Sequence, residues 1–296
     1  MSRAKSNNAE IEYFRDGDPA APAFLLCMGA GEQLILWPQS LVSALLKEGY
    51  QVIRFDYRDT GLSTGFEAAG PVDLGGLVGR LQAGEPVSVP YSLSDMADDA
   101  VSVLDATGID KAHVVGLSLG GMVAQAIALN HPKRVLSLTS ISSTTGDRHL
   151  PPPNPRTVMM MYGVAPGAPL EAWIDARVAA MTAMQGSQFR ASTDEIRNAA
   201  EASVKRDLNP AGVTRQIAAT IVAPPRGEAL KALTAPALVI HGTDDDVILP
   251  VCGAYTAVCL SASTLVQIDG MGHGFSEELA QIWAKHMIEL ANRIDR

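Results

Sequence analysis

Short apolar runs that alternate with helix-like segments restrict the fold of this chain more than any other feature. Runs typical of buried strands occupy residues 23–27, 50–55, 113–117, 135–141, 237–241 and 264–268, with a weaker candidate at 10–15. Helical patterns follow at 41–47, 93–106, 120–129, 251–260 and 275–293. Such alternation predicts an α/β fold with a mostly parallel sheet flanked by helices.

Two stretches interrupt the alternation. Residues 65–90 are rich in glycine and proline and have weak periodicity, so we predict a long loop with room for one short helix. Residues 144–234 include P-P-P-N-P at 151–155, have helical patterns at 170–184 and 194–205, and lack a convincing strand pattern. We expect a helical cap at 144–234, inserted into a core formed by residues 1–143 and 235–296.

Composition excludes several classes of partner. The 296 residues are 47% hydrophobic and 19% charged, as in ordinary globular proteins, and the net charge of −9 disfavours nucleic acids and anionic membranes. The first 12 residues are polar and no run is long enough for a membrane span, so we expect a cytoplasmic protein. Oligomeric state is left open.

No metal and no organic cofactor is expected. Cys27, Cys252 and Cys259 form no C-x-x-C pair and have no zinc spacing, so free thiols in a reducing compartment are the simplest interpretation. No histidine and cysteine cluster has the spacing of a zinc site, and no Walker-type phosphate loop is present.

The segment with the clearest chemical content is G-L-S-L-G at 116–120. It follows the strand at 113–117 directly and leads into the helix at 120–129. A serine at such a strand–turn–helix corner is held with its hydroxyl exposed, and the following helix directs its N-terminal dipole at the site. We therefore take Ser118 as the candidate nucleophile, against the simpler possibility of a tight turn without chemistry.

The same pattern occurs a second time, which shows how weak it is alone. Gly61 to Gly65 read G-L-S-T-G, but a glycine- and proline-rich loop follows instead of a helix. We interpret Ser63 as a turn residue.

A serine nucleophile needs a base, and six histidines are available. His273 lies within D-G-M-G-H-G at 269–274, directly after the last predicted strand. It is therefore expected at the carboxyl end of a parallel sheet, where active sites of such sheets gather. The other five lie at strand ends, at helix ends, beside the proline run or inside the last helix: His113, His131, His149, His241 and His286.

A carboxylate that orients the histidine should lie between the serine and the histidine in chain order. Asp244, Asp245 and Asp246 follow the strand at 237–241 in a row. One of them would hold the imidazole and stabilise its charged form, although three adjacent aspartates are also typical of a solvated turn.

These motifs together resemble the α/β-hydrolase superfamily over nearly the whole chain. The resemblance rests on G-L-S-L-G at 116–120, H-G-T-D-D-D at 241–246 and G-M-G-H at 270–273. A narrower resemblance, to the esterase branch that includes aclacinomycin methylesterase, rests on M-G at 28–29, R-D-T-G-L-S-T at 58–64 and Y-S-L-S-D-M-A-D-D-A at 91–100.

The resemblance implies a catalytic triad of Ser118, an aspartate and His273. The family aspartate usually stands three places after the glycine of H-G, which selects Asp245, and four places before a proline, which selects Asp246. We prefer Asp245, because the glycine count starts from the strand that fixes the geometry. The resemblance also implies an oxyanion hole formed by the backbone N–H groups of Ala30 and Leu119.

The function expected from these residues is hydrolysis of a carboxylic ester, such as a methyl ester or another apolar small-molecule ester, through an acyl-enzyme. Lactone opening, cofactor-free peracid formation and carbon–carbon bond hydrolysis on the same triad remain open, as does a binding protein that keeps the fold. The methionines and aromatics of the expected cap favour an apolar substrate: Met159, Met160, Met161, Tyr162, Trp173, Met181 and Met184.

Overall fold

The computed structural model describes residues 2–156, 159–160, 163–165 and 167–295. The strands within these ranges are β1 (Ser2–Ser6), β2 (Ala9–Asp16), β3 (Ala23–Cys27), β4 (Gln51–Phe55), β5 (Ala112–Leu117), β6 (Val135–Ile141), β7 (Ala237–Gly242) and β8 (Ser263–Ile268). The helices whose full extent lies within these ranges are α1 (Gln39–Lys47), α2 (Leu74–Gln82), α3 (Leu93–Thr107), α4 (Leu119–Asn130), α5 (Leu170–Ala183), α6 (Thr193–Arg206), α7 (Pro210–Val222), α8 (Gly227–Leu230), α9 (Pro250–Cys259) and α10 (Glu277–Ala291).

All eight strands form a single sheet in the order β1-β2-β4-β3-β5-β6-β7-β8. The β1–β2 and β2–β4 pairs are antiparallel, and the five remaining pairs are parallel. The predicted fold class, a mostly parallel sheet flanked by helices, is therefore confirmed.

Two hydrophobic cores lie on opposite faces of the sheet. Successive residues of a strand point to opposite faces, so Leu25 joins the core beneath α3, α4 and α9, while Phe24 and Leu26 join the core beneath α1 and α10. Both faces of β3 are thus covered, which explains why its sequence, AFLLC, is an unbroken apolar run.

Strand β1 has no counterpart among the predicted strands. It pairs with β2 across a two-residue turn that begins at Asn7, whose φ is +26°. Only Ala4 and Ser6 of β1 are buried. A strand with one shallow buried face at a sheet edge carries too few apolar residues to stand out in a polar segment.

The segment between β6 and β7 carries α5, α6, α7 and α8, and none of its described residues is in a strand. The helices predicted at 170–184 and 194–205 correspond to α5 and α6. The division into a core of 1–143 and 235–296 and a cap of 144–234 stays a prediction. The stretch 65–90 holds α2 and one 3-10 turn at Glu67–Ala69. In the described part of the chain, no helix combines the length and hydropathy that a membrane span requires.

Candidate active site

Ser118 forms the corner between β5 and α4. Its φ of +55° and ψ of −120° are strained for a residue with a side chain, a cost on the order of 1–3 kcal/mol. Hydrogen bonds hold the corner: the Ser118 N–H donates to the Ile141 carbonyl at 2.9 Å, and the Ser143 hydroxyl donates to the Ser118 carbonyl at 2.7 Å. The predicted serine thus lies at a strained strand–helix turn.

Two glycines let the backbone close around this corner. A Cβ added to Gly116 would overlap the carbonyl group of Gly120, and a Cβ added to Gly120 would overlap the carbonyl group of Cys27 at the end of β3. The glycines of the motif are therefore required by close backbone approach, which brings the end of β3 next to Ser118.

The predicted serine, histidine and aspartate are hydrogen-bonded in sequence. His273 Nε2 is 2.9 Å from Ser118 Oγ, and His273 Nδ1 is 2.9 Å from Asp245 Oδ2. A carboxylate only accepts hydrogen bonds, so Nδ1 carries the proton and Nε2 accepts from the serine hydroxyl. The imidazole is therefore held in the tautomer that can remove a proton from Ser118.

Asp245 is buried, with 2% of its surface exposed, yet it is surrounded by donors. Its Oδ1 accepts from the backbone N–H groups of Val247 at 3.0 Å and Ile248 at 2.9 Å. Burial acts to raise the pKa of Asp245, but attraction to His273 and the hydrogen bonds from His241 and His273 outweigh it, so the pKa lies well below the ordinary value of 3.8. The carboxylate is ionised across the neutral range.

His241 is a neighbour of the aspartate that the sequence did not single out. Its Nε2 donates to the Ile248 carbonyl at 2.8 Å and lies 3.3 Å from Asp245 Oδ2. The side chain is fully buried. His241 therefore joins the strand end to the turn after Asp245 and lies against the same carboxylate oxygen as His273, and its position four residues before the aspartate was the available signal.

The two adjacent aspartates point elsewhere. Asp244 is exposed and accepts from the Ser187 N–H at 2.9 Å, and Asp246 is exposed. Neither caps α9, whose N-cap residue Leu249 makes no side-chain cap bond. The loop thus brings only Asp245 to the histidine.

The hydroxyl of Ser63, from the second G-x-S-x-G, is hydrogen-bonded to two backbone groups. Its hydroxyl donates to the Asp56 carbonyl at 2.6 Å and accepts from the Glu12 N–H at 2.9 Å. It lies in a turn that closes the ends of β2 and β4, away from the histidine.

Ala30 and Leu119 flank Ser118 on two separate segments. Leu119 begins α4 immediately after Ser118, and Ala30 lies in the loop after β3. A Cβ added to Gly29 would lie 3.8 Å from Ser118 Cβ, so this loop is adjacent to the serine. Among the described residues neither backbone N–H has a hydrogen-bond partner.

A cavity of about 450 Å³ opens onto Ser118 and His273. Its apolar wall is formed by Leu36, Trp37, Met181, Met184, Ile196 and Phe275. Three carboxylates also line it, but each has a structural partner: Glu32 pairs with Arg177, Glu195 caps α6 through Ser192, and Glu277 accepts from the first N–H groups of α1. The surface left for a ligand is therefore mainly apolar.

The methionines and aromatics expected in the cap have three different surroundings. Met181 and Met184 line the cavity, whereas Trp173 packs inside the β6–β7 segment against Ile174 and Ala200. Met159 is 68% exposed. The predictions for Met161 and Tyr162 fall outside the described residues.

Comparison with known proteins agrees with this geometry. The family model described as alpha/beta hydrolase fold matches residues 22–278. The chain is 30% identical to rhodomycin D methylesterase DauP of Streptomyces sp. (strain C5), over 87% of this chain and 86% of the relative, and 29% identical to rhodomycin D methylesterase DnrP of Streptomyces peucetius, over 90% of each. Its fold is similar to that of the enol-lactonase from Burkholderia xenovorans LB400, with a TM-score of 0.73, 21% identity and coverage of 98% of this chain and 100% of the other.

Proposed function

Because the chain belongs to the α/β-hydrolase family, we propose that it is a serine hydrolase that cleaves a carboxylic ester through an acyl-enzyme. The observation that carries this proposal is the continuous hydrogen-bond chain from Ser118 through His273 to Asp245. In this arrangement His273 Nε2 faces the serine hydroxyl and Nδ1 faces the carboxylate, as nucleophilic catalysis needs.

In the proposed acylation step, Ser118 Oγ attacks the ester carbonyl carbon while its proton moves to His273 Nε2. Asp245 stabilises the imidazolium that forms. The tetrahedral intermediate then collapses, the bond to the alcohol oxygen breaks, and His273 returns the proton to the leaving alcohol. Water then attacks the acyl-enzyme carbonyl carbon while His273 takes its proton, and the bond to Ser118 Oγ breaks. The acid is released, and His273 returns the proton to the Ser118 hydroxyl.

The negative oxygen of the intermediate would be held by the N–H groups of Ala30 and Leu119. Support comes from their position on either side of Ser118 and from their lack of other partners among the described residues. The N-terminus of α4 adds a favourable dipole at the same point. Removal of one such donor typically costs about a hundredfold to a thousandfold in kcat.

We propose an apolar ester of moderate size as the substrate. Support comes from the apolar wall of the cavity and from the volume of about 450 Å³, which suits a small molecule. The similarity to two rhodomycin D methylesterases favours a methyl ester of a larger apolar acid.

We further propose that residues 144–234 act as a cap that selects the substrate. Met181, Met184 and Ile196 from this segment line the cavity that opens onto Ser118 and His273. Altered apolar contacts of this kind change selectivity by about tenfold to a hundredfold.

The test is a burst experiment with a p-nitrophenyl ester. A stoichiometric burst of p-nitrophenol from the wild type, absent in Ser118→Ala, supports an acyl-enzyme on this serine. A methyl ester series graded by acyl size, run beside the matching lactones, separates ester cleavage from lactone opening. Equal turnover by Ser118→Ala and wild type would exclude the mechanism.

A further inference from the structure

The loop that carries Ala30 is held by the β6–β7 segment as well as by the core. We call Met28 to Gln33 the oxyanion loop, a name that rests on the function proposed above. Three successive residues of this loop, Gly31, Glu32 and Gln33, each bond to a different helix of the β6–β7 segment.

The first anchor is Gln216 on α7, a fully buried side chain. Its Oε1 accepts from the Gly31 N–H at 2.8 Å, while its Nε2 donates to the Arg58 carbonyl at 2.8 Å and to Thr60 Oγ1 at 2.7 Å. Because two acceptors face the NH₂ group, the amide cannot be reversed, and its oxygen is fixed toward Gly31.

The second and third anchors come from α5 and α6. Glu32 pairs with Arg177 on α5 at 2.5 Å, and both side chains are largely buried. Gln33 donates to the Ser203 carbonyl at the end of α6 at 2.8 Å and accepts from Arg206 at 2.8 Å. The core contributes one bond nearby, from the Leu34 N–H to Asp56 at 2.8 Å.

Gln216 is the anchor nearest to the proposed oxyanion donor. Only the φ and ψ of Ala30 separate the peptide unit whose N–H would hold the oxyanion from the unit whose N–H bonds to Gln216. Gly31 adopts a φ of +67°, a region that glycine enters without steric penalty, so the residue itself does little to hold the loop in this conformation. Within the loop, the Glu32 N–H donates to the Gly29 carbonyl at 3.2 Å and closes the turn, and the bond from the Gly31 N–H to Gln216 adds a restraint from outside the loop.

We propose that Gln216 is a positioning residue for the oxyanion hole, assisted by Arg177 and Gln33. It touches neither the nucleophile nor, by our assignment, the substrate. Its amide fixes the direction of the Ala30 N–H by holding the next peptide unit. The β6–β7 segment thereby takes part in transition-state stabilisation in addition to lining the cavity.

The test compares Gln216→Leu with Thr214→Val on the same helix. Thr214 also joins α7 to the core, through the Val72 N–H at 2.9 Å, but it does not contact the oxyanion loop. Each variant loses side-chain hydrogen bonds between α7 and the core, so loss of docking alone would affect both. We measure kcat and KM for a p-nitrophenyl ester, the melting temperature, and the inhibition constant of an alkyl trifluoromethyl ketone, which Ser118 converts into a hemiketal oxyanion.

For Gln216→Leu we expect kcat to fall by about tenfold to a hundredfold, with KM within about threefold of wild type. The inhibition constant of the ketone should rise by the same factor as kcat falls, because both report the oxyanion. Thr214→Val should change the melting temperature only.

A folded Gln216→Leu with wild-type kcat and ketone affinity would overturn the inference while leaving the proposed function intact. Wild-type protein that neither hydrolyses esters nor binds the ketone would overturn both. If Gln216→Leu does not fold, Arg177→Met removes the ion pair that holds the loop at Glu32 instead. Unchanged ketone affinity in that variant would also overturn the inference.

Discussion

The identity of the orienting acid gives the sharpest prediction, because three adjacent aspartates supply their own controls. In Asp245→Asn the amide must fit the donors that now surround the carboxylate. The N–H groups of Val247 and Ile248 both point at Oδ1, so the amide oxygen takes that place and the NH₂ group takes the place of Oδ2. That NH₂ group then faces His273 Nδ1, which lies 2.9 Å from the position of Oδ2 and 3.1 Å from that of Oδ1.

A donor at the nearer position favours the tautomer in which Nδ1 of His273 accepts and Nε2 carries the proton, over the one in which Nδ1 donates to the amide oxygen at 3.1 Å. The proton then faces Ser118 Oγ, and the histidine can no longer act as a base. Loss of the correct tautomer and of the charge that stabilises imidazolium costs on the order of ten-thousandfold in kcat. Asp244→Asn retains an oxygen for the Ser187 N–H, and Asp246 is exposed, so both variants should remain within about tenfold of wild type.

The assay is steady-state hydrolysis of a p-nitrophenyl ester by the three variants at neutral pH, with active sites counted from the burst. Asp246→Asn is the matched control, because it makes the same substitution at the next residue, which is exposed. A large loss in Asp246→Asn with little loss in Asp245→Asn would refute the assignment and show that the proline at 250, not the glycine at 242, is the correct reference point.

Four further outcomes follow from the same structure. Ser118→Ala should lose several orders of magnitude in kcat, whereas Ser63→Ala should keep kcat and lower the melting temperature, because it loses two backbone hydrogen bonds. Met184→Ala should change the ratio of kcat/KM between long and short acyl esters by about tenfold to a hundredfold, while an equal change for all esters would exclude a role in selectivity. Dialysis against EDTA should leave ester hydrolysis unchanged; loss that a divalent metal restores would contradict this. The pKa of Asp245 is lowered in the folded protein, so its stabilising contribution is complete above its ordinary value of 3.8 and is lost as pH falls toward the folded pKa. Lowering the pH from about 5.5 to about 3 should therefore reduce the free energy of unfolding, measured with urea, more in the wild type than in Asp245→Asn.

The parts of the fold and site that could be predicted are those encoded within a few neighbouring residues. The strand–turn–helix at Ser118 is visible because G-x-S-x-G combines with an apolar run before it and a helical pattern after it. The histidine and the aspartate loop are visible for a related reason, since each directly follows a parallel strand, and the carboxyl ends of such strands meet at one edge.

What could not be predicted depends on partners that are distant in the chain. Gln216 lies 185 residues from the Gly31 N–H that it accepts from, and nothing in the pattern of α7 distinguishes it from an ordinary polar residue of an amphipathic helix. The contact of His241 with Asp245 was not predicted, because a histidine that ends an apolar strand is typical of a core residue. Its contact with Asp245 depends on how the loop turns back after Gly242.

Two ion pairs with buried aspartates hold the β6–β7 segment against the core beside the oxyanion loop. Asp59 holds Arg215 of α7 through two hydrogen bonds, of 2.6 and 2.7 Å, and both side chains are fully excluded from solvent. Asp56 pairs with Arg206 of α6 at 2.6 Å. Removing one partner from such a pair leaves a buried charge unpaired and typically costs about 3–5 kcal/mol. The helices therefore cannot move away from the core near Gln216 without breaking these pairs, so a segment grafted from a relative to change substrate choice must keep the arginines and Gln216 together.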